Sequence, residues 1–236
     1  PRRVRPAEEV SALLAAARAP APASDRFLPV RRQRAWLAFE RAQEIVSAQS
    51  LPAGAATAMY RAWIERYPRE VSVRAWLFDV LVEQSGRAAA EDLLAAYVKE
   101  FPGEAAFPVR ARASLARRQG GAAQALAVYE RSFRPLWPAE LVREWFALLK
   151  ETRGLRRFHD QARAAAAADP DAIEPAARLF YYWQQQGNLE AARRALAGFR
   201  ARKDSRKPGW QPEELLTLAR LFEGASAYDD AARCYY

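Results

Sequence analysis

Basic residues cluster beside a tryptophan near the C-terminal end of the chain. Arg202, Lys203, Arg206 and Lys207 precede Trp210 in the segment ARKDSRKPGWQ. Cationic side chains bind phosphate groups and an indole ring stacks on nucleobases, so this composition is typical of a nucleic-acid contact. The alternative is a long connector between two helices in which Trp210 packs back on the fold. The sequence predicts a basic loop and leaves both interpretations open.

Histidine and cysteine are too few for a catalytic triad or a metal site built on these residue types. His159 is the only histidine and Cys234 the only cysteine. We expect His159 to be a solvated surface side chain and Cys234 to be a buried thiol without a disulfide partner. Gly120 and Gly121 lack the strand-to-helix context of a phosphate-binding loop and predict a break between helices. The sequence therefore predicts no enzyme, no metal site and no cofactor.

Composition predicts a folded chain with a basic surface. Hydrophobic residues make up 51% and aromatic residues 11% of the 236 residues, which is enough apolar bulk for a core. The net charge of +9 suits an acidic partner such as nucleic acid, an acidic peptide or anionic lipid, and it also suits plain solvation of helix faces. Every apolar run is too short for a membrane span, and no signal peptide is recognisable. We expect a soluble chain, whose compartment and oligomeric state stay open.

One helical pattern recurs along the chain. An apolar helix is followed by a short break with Gly or Ser, and then by a second helix that opens on small residues. The buried small position of that second helix falls at Ala56, Ala90, Ala125, Phe158, Ala192 and Ala231. Spacings of 34, 35, 33, 34 and 39 residues indicate a repeat of about 34 residues. Pro68, Pro102 and Pro170 are placed to end second helices.

The residues of this pattern resemble the tetratricopeptide repeat family over about residues 30–236, with its half-a-tetratricopeptide variant as an alternative. First helices carry large apolar residues at steps of three, one and three, as in Val142, Trp145, Phe146 and Leu149. Second helices carry a small residue and then bulky ones, as in Ala192, Leu196 and Phe199. The resemblance implies an all-α, right-handed α-solenoid of about six stacked helix-turn-helix repeats, each completing its core against its neighbours.

Three departures from the family pattern stand out. The first unit has its apolar stripe one residue out of register, at Trp36, Phe39, Ala42 and Val46. Phe158 occupies a place that normally holds alanine, and we expect the nearby alanines (Ala162 and the run 164–168) to make room for it. The 39-residue spacing predicts about five extra residues within Ala201–Gln211.

The domain organisation follows from the repeat. Residues 1–25 are predicted to form an N-terminal capping helix, about Ala7–Ala17, and a linker, and residues 26–236 are predicted to form the repeat array. The alternative is that the N-terminal helix is the tail of an earlier repeat unit. Because the chain starts at Pro1 and stops at Tyr236 within a helical pattern, we expect a fragment of a longer protein whose array continues.

By the resemblance, five positions of each first helix line a concave groove. The predicted groove residues are Arg110, Ser114, Arg117, Arg118, Arg143, Lys150, Tyr181 and Gln184. Guanidinium groups bind carboxylates through paired, charge-assisted hydrogen bonds, so an acidic peptide or a C-terminal carboxylate suits such a groove. Chaperone-binding members have asparagine where this chain has Ser114 and Ala147, so that partner is not carried over. A solvated face of mixed charge is the alternative interpretation.

Three functions are compatible with these features. The leading hypothesis is a protein–protein interaction scaffold, part of a larger protein, that binds a partner protein or acidic peptide in the groove. The second is a nucleic-acid-associated helical repeat module that uses the basic surface. The third is a regulatory or docking arm of an enzyme whose catalytic domain lies outside this chain.

Overall fold

The computed structural model describes residues 53–68, 71–84, 86–205 and 209–235, together with Ala12, Leu37 and Glu40. Within these residues the structure is helical and has no strand, which confirms the all-α prediction. Apart from Ala12, which is helical, the predicted N-terminal capping helix and its linker fall outside the described residues, and so do all four residues of the stripe, Trp36, Phe39, Ala42 and Val46. Within the described residues, no helix combines the length and the hydrophobicity that a membrane span requires.

Ten helical elements follow one another through the described residues. They are α1 (Ala53–Arg66), α2 (Val71–Gln84), α3 (Arg87–Glu100), α4 (Ala106–Ser132), α5 (Ala139–Glu151), α6 (Leu155–Ala168), α7 (Ile173–Gln185), α8 (Leu189–Asp204), α9 (Pro212–Gly224) and α10 (Tyr228–Tyr235). Helix α4 is interrupted at Gly120 and Gly121, whose backbone is non-helical, so it comprises two helices, 106–119 and 122–132. The predicted break at this glycine pair is confirmed.

The chain divides into two compact units, Pro1–Ala111 and Arg112–Tyr236. In the first unit, α2 packs against both α1 and α3. In the second unit, each helix from α5 to α10 packs against the next one along the chain. Helix α7 also contacts α5 and α9, so these three alternate helices lie side by side within the second unit. This arrangement creates the candidate site described below.

In the described residues, five turns join the two helices of a pair. The pairs are α2 with α3, the two halves of α4, α5 with α6, α7 with α8, and α9 with α10. Each of these turns contains one residue with positive φ. These residues are Gly86, Gly121, Arg153, Gly187 and Ser226, with φ between 53° and 83°. After α5, α7 and α9 the same hydrogen bond closes the turn, from the N–H of Gly154, Asn188 and Ala227 to the carbonyl five residues earlier. This bond is the Schellman closure of a helix end. The turns thus repeat in geometry even where Arg153 or Ser226 replaces glycine.

Burial follows the repeat at its small position. Ala56, Ala90, Ala125, Phe158, Ala192 and Ala231 are all buried, none more than 7% exposed. The helices before the three repeat-closing prolines end two residues before them, at Arg66, Glu100 and Ala168. Both observations agree with the predicted spacing.

Phe158 is accommodated in a different way from the one the sequence suggests. Its ring meets the rings of Trp145 and Phe146 edge-on, at centroid distances of 4.9 and 5.6 Å. Ala162 is buried nearby, but the alanines at 164–168 are exposed or half-exposed and do not make room for the ring. The expectation about that run is therefore wrong. Neighbouring aromatic rings, placed edge-on, fill the space around Phe158.

Each unit also contains a cation held against aromatic rings. In the first unit, the buried Arg74 guanidinium lies 4.7 Å from the Tyr97 ring centroid, and its Nε donates to the Pro68 carbonyl at 2.7 Å. Burial lowers the pKa of Arg74, while Glu100 and Tyr97 act in the opposite direction. In the second unit, the Arg178 guanidinium lies 4.7 Å from the Phe133 ring centroid. These two cations hold the fold together and are unsuited to binding a partner.

Candidate functional site

A pocket of about 510 Å³ opens within the second unit where α5, α7 and α9 meet. We call it the α5–α7–α9 pocket. Its apolar lining includes Trp137, Val142, Phe180 and Leu221. Its polar lining consists of Arg143, Tyr181, Gln184, Gln185 and Arg220. A mainly apolar concavity with a few convergent polar groups is the usual character of a binding site.

The helices around the pocket are fixed by an amphipathic pattern and by defined ends. Helix α5 buries Leu141, Val142, Trp145, Phe146, Leu148 and Leu149 along one side. Helix α9 starts with Pro212 and a reciprocal capping box between Gln211 and Glu214. The exposed Arg143 and Arg220 therefore lie on helices whose position is set by buried neighbours.

Hydrogen bonds hold two of the pocket's polar side chains in place. The Tyr181 hydroxyl donates to the Pro135 carbonyl at 2.9 Å and accepts from the Trp137 backbone N–H at 3.3 Å. The Gln184 amide nitrogen donates to the Gly224 carbonyl at 3.1 Å. Burial raises the pKa of Tyr181, partly offset by the hydrogen bond from Trp137. Tyr181 therefore joins α7 to the segment before α5, and Gln184 joins α7 to the end of α9.

The electrostatics of the pocket favour an anion. Arg143 and Arg220 come from two different helices, and neither has an ion-pair partner among the described residues. Among the described residues that line the pocket there is no Asp or Glu. Helix α5 begins at the pocket wall, after Pro138, without a side-chain cap. The partial positive charge of a helix start adds to that of the two guanidinium groups, although Glu140 in the first turn of α5 offsets part of it.

The pocket wall also contains an unused hydrogen-bond donor. Trp137 is 6% exposed, and its indole nitrogen has no acceptor within the part of the chain that the structure describes. Buried polar groups without a partner are uncommon in folded proteins. An acceptor supplied by a ligand is one way to satisfy this nitrogen.

The structure brings only some of the predicted groove residues together. Arg143, Tyr181 and Gln184 line the pocket, although Tyr181 is buried and its hydroxyl is already engaged. Lys150 is exposed at the last turn of α5 and does not line the pocket. Ser114, Arg117 and Arg118 lie on α4 in the second unit, and Arg110 lies in the first unit. The Arg117 Nη2 donates to the Glu151 carboxylate at 2.8 and 3.0 Å.

Arg220 is the pocket arginine that is absent from the predicted groove residues. It lies on α9, the first helix of the last pair, for which no groove residues were predicted. The repeat pattern could have identified Arg220. In that pattern, Leu218 and Phe222 of α9 occupy the positions that Trp145 and Leu149 occupy on α5. The same register places Arg220 at the position of Ala147, the ninth of the pattern.

The predicted basic loop takes a different form in the structure. Arg202 and Lys203 belong to helix α8, and Arg206 and Lys207 fall outside the described residues. Lys203 is only 9% exposed, and its Nζ lies 3.1 Å from a Glu214 carboxylate oxygen. It is unavailable to phosphate because α9 covers it and supplies the counter-charge. The loop prediction is therefore wrong for both residues on α8.

Trp210 supports the connector interpretation. Its indole nitrogen donates to Asp204 at 2.6 Å, and its ring meets Phe199 edge-on at 5.6 Å. The Lys203 ammonium group lies 5.9 Å from the Trp210 ring centroid. These contacts tie the connector between α8 and α9 to helix α8. Trp210 is half-buried in these contacts, and the nucleic-acid interpretation of the segment stays a prediction.

The single histidine and the single cysteine have packing roles. His159 is 18% exposed and lies against Tyr182 and Trp183, at ring centroid distances of 4.6 and 5.3 Å. The expectation of a solvated histidine is wrong, because the aromatic end of α7 covers it. Cys234 is buried as predicted, and burial raises the pKa of its thiol.

Comparisons with known proteins add no family. No protein-family model matches the chain, and the search of curated proteins finds no match. Among the described residues, no group of three or more His, Cys, Asp and Glu side chains is placed to hold a metal ion. The geometry and charge of the α5–α7–α9 pocket are therefore the main indication of function.

Proposed function

We propose that this chain is a protein–protein interaction scaffold that holds an acidic segment of a partner protein in the α5–α7–α9 pocket. One observation carries the proposal. Two arginines from separate helices, Arg143 and Arg220, line one apolar pocket whose described lining has no acidic residue. Two guanidinium groups beside an apolar cavity suit a ligand that combines a carboxylate with an apolar side chain.

The architecture supports a scaffold built from tetratricopeptide-like helix pairs. The small position is buried at each predicted place, and the turns inside the five pairs share a positive-φ residue. Three of those turns share the same closing hydrogen bond. Regular helix pairs of this kind form rigid surfaces, so a bound segment does not need to reorder them.

The chemistry of recognition has two parts. An apolar side chain of the partner would displace water from the wall formed by Trp137, Val142 and Leu221. A neighbouring Asp or Glu would pair with Arg143 or Arg220, and the Trp137 indole N–H offers one further donor. Since both arginines are exposed, we expect their charges to contribute more to the association rate and to specificity than to affinity.

A direct binding experiment tests the proposal. A fluorescein-labelled peptide with Asp and Glu around a central Leu-Phe pair is titrated with the full chain, and fluorescence anisotropy gives Kd. The double variant Arg143→Glu and Arg220→Glu should weaken binding by roughly tenfold or more, because two attractions become repulsions. A peptide with Asn and Gln in place of the acids should bind weakly to the unmodified chain.

A matched control distinguishes the effect of the pocket arginines from the effect of the chain's overall net charge. The double variant Arg131→Glu and Arg157→Glu makes the same charge change at two exposed positions that do not line the pocket. Its affinity for the acidic peptide should stay within about threefold of the unmodified chain, since exposed charges away from the ligand are screened. Equal weakening by both double variants would mean that the peptide senses overall charge only, and the pocket assignment would then be wrong.

A further inference from the structure

A second concavity lies on a different set of helices in the second unit. This α6–α8 groove has a volume of about 490 Å³ and lies between the two helices, with Leu179 of α7 and Pro170 in its lining. None of its described lining residues also lines the α5–α7–α9 pocket. The two depressions can therefore be altered independently.

The floor of the groove is made of unusually small residues. Ala166 and Ala167 of α6 lie opposite Ala195 and Gly198 of α8 in the lining. With no side chain beyond Cβ at these places, the backbones of α6 and α8 are accessible to a close neighbour. Small residues at a helix surface allow another helix to approach closely, as they do where helices pack in membranes.

Gly198 shows that the fold itself does not require this small floor. A Cβ added at Gly198 would meet only the Nη1 of Arg202, at 3.4 Å. Its φ is not in the left-handed region, and the residue sits inside helix α8, where glycine is less favourable than alanine. Neither packing nor backbone conformation requires glycine here, and its missing side chain leaves room for a close neighbour.

The rim of the groove is cationic. Arg163, Arg194 and Arg202 line it, and none of the described lining residues is acidic. Arg194 pairs with Glu190 of its own helix at 3.1 Å, with both side chains at least 70% exposed. Such an exposed pair contributes little to stability and exchanges readily for another carboxylate. Arg163 and Arg202 have no ion-pair partner within the described residues.

We infer that the α6–α8 groove docks an acidic amphipathic helix of a partner protein, with the partner's small apolar face on the alanine floor and its carboxylates on the three arginines. Single-stranded nucleic acid fits less well, because the lining that the structure describes has no aromatic ring for base stacking. A membrane surface also fits less well, because interfacial binding uses large protruding apolar side chains and this floor is recessed and small.

The experiment uses a synthetic helical peptide and the full chain. The peptide has about five turns, an Ala/Leu face and flanking Glu residues, and carries a fluorescent label for anisotropy. The double variant Arg163→Glu and Arg202→Glu should weaken its binding by roughly tenfold. The variants Arg131→Glu with Arg157→Glu, and Arg143→Glu with Arg220→Glu, should each leave Kd within about threefold, because neither pair lines the groove.

A neutral change to the floor tests the shape argument. Gly198→Leu should fill the groove and weaken peptide binding at least as much as the charge reversal does, whereas Gly198→Ala should retain most of the affinity. Far-UV circular dichroism and urea midpoints establish that each variant is folded. Both substitutions replace glycine inside a helix, so neither should lower helicity.

Other outcomes would overturn the inference. Peptide binding that is unchanged in both the Arg163→Glu/Arg202→Glu and Gly198→Leu variants would show that the groove is not the docking site. A Glu-to-Gln peptide that binds as tightly would remove the role of charge. Binding of a single-stranded 20-mer DNA or of vesicles with phosphatidylserine that is lost in the groove variants, while the peptide does not bind, would assign the groove to a different macromolecule.

Discussion

The α5–α7–α9 pocket and the connector between α8 and α9 are two cationic regions that differ in how far the fold neutralises their charges. Both place positive side chains near an aromatic residue, Trp137 in the pocket and Trp210 in the connector. In the connector the fold supplies Glu214 to Lys203 and Asp204 to Trp210, so the polar groups are satisfied internally. In the pocket neither Arg143 nor Arg220 has an ion-pair partner among the described residues. A basic residue beside an aromatic one indicates a binding site only when the fold leaves its charge uncompensated.

The largest expected effect is a loss of stability, and it tests whether Lys203 holds the connector between α8 and α9 in place. Lys203→Met keeps the apolar stem of the side chain but leaves the Glu214 carboxylate without its partner in a mostly buried place. The free energy of unfolding should fall by about 1–3 kcal/mol, because breaking a largely buried pair costs more than an exposed one contributes. Urea unfolding followed by circular dichroism measures it.

Arg202→Met is the matched control for Lys203, since Arg202 is the adjacent residue of the same helix and is exposed. Its free energy of unfolding should change little. If the two variants unfold at the same urea concentration, the connector is held by something other than Lys203. The contrast with the pocket would then be lost.

A smaller effect tests how the pocket is built. Tyr181→Phe removes the hydroxyl that joins α7 to Pro135 and Trp137. We expect a loss of about 1 kcal/mol in the free energy of unfolding near pH 7, the typical net value of a buried hydrogen bond.

The same variant makes a prediction about pH. Burial raises the pKa of Tyr181 in the folded chain above its ordinary value of about 10. Above that value the unfolded chain loses a proton that the folded chain retains, so the contribution of Tyr181 to stability is present at neutral pH and declines as pH rises. The stability gap between the unmodified chain and Tyr181→Phe should narrow between pH 9 and about 11. Tyr228→Phe is the control, because Tyr228 is 68% exposed and should show no such gap at either pH.

The smallest expected change in stability concerns a pocket residue, Arg143. Arg143→Gln should change the free energy of unfolding by less than about 0.5 kcal/mol, as expected for an exposed residue without an ion-pair partner. Affinity for the acidic peptide should fall in the same variant. A loss of stability as large as that of Lys203→Met would show that Arg143 belongs to the structure, as Lys203 does.

The sequence was informative about local periodicity. The 34-residue spacing located the small buried position in every predicted unit, from Ala56 to Ala231, and the glycine pair at 120–121 located a helix break. These features depend on neighbours along one helix or across one turn, and such interactions leave a direct trace in residue spacing. The positive φ of Arg153 and Ser226 left no such trace, because neither residue type favours that conformation.

Contacts between elements could not be deduced in the same way. Lys203 lies 11 positions before Glu214, and Phe158 lies 13 positions after Trp145, yet each pair is in contact across two helices. Similarly, Arg143 and Arg220 lie far apart in the sequence and line one pocket. Whether a charge is neutralised or left available depends on which residues the packing of helices brings near it.

By itself, the sequence determined that the described residues are all-helical and that their helix pairs are regularly spaced, because helix formation and turn closure are governed by nearby residues. The tertiary structure decided which cations are compensated, which aromatic rings cover His159 and surround Phe158, and where Arg143 and Arg220 meet. The physical reason is that electrostatic and packing energies depend on distances between elements, which spacing along the chain does not specify.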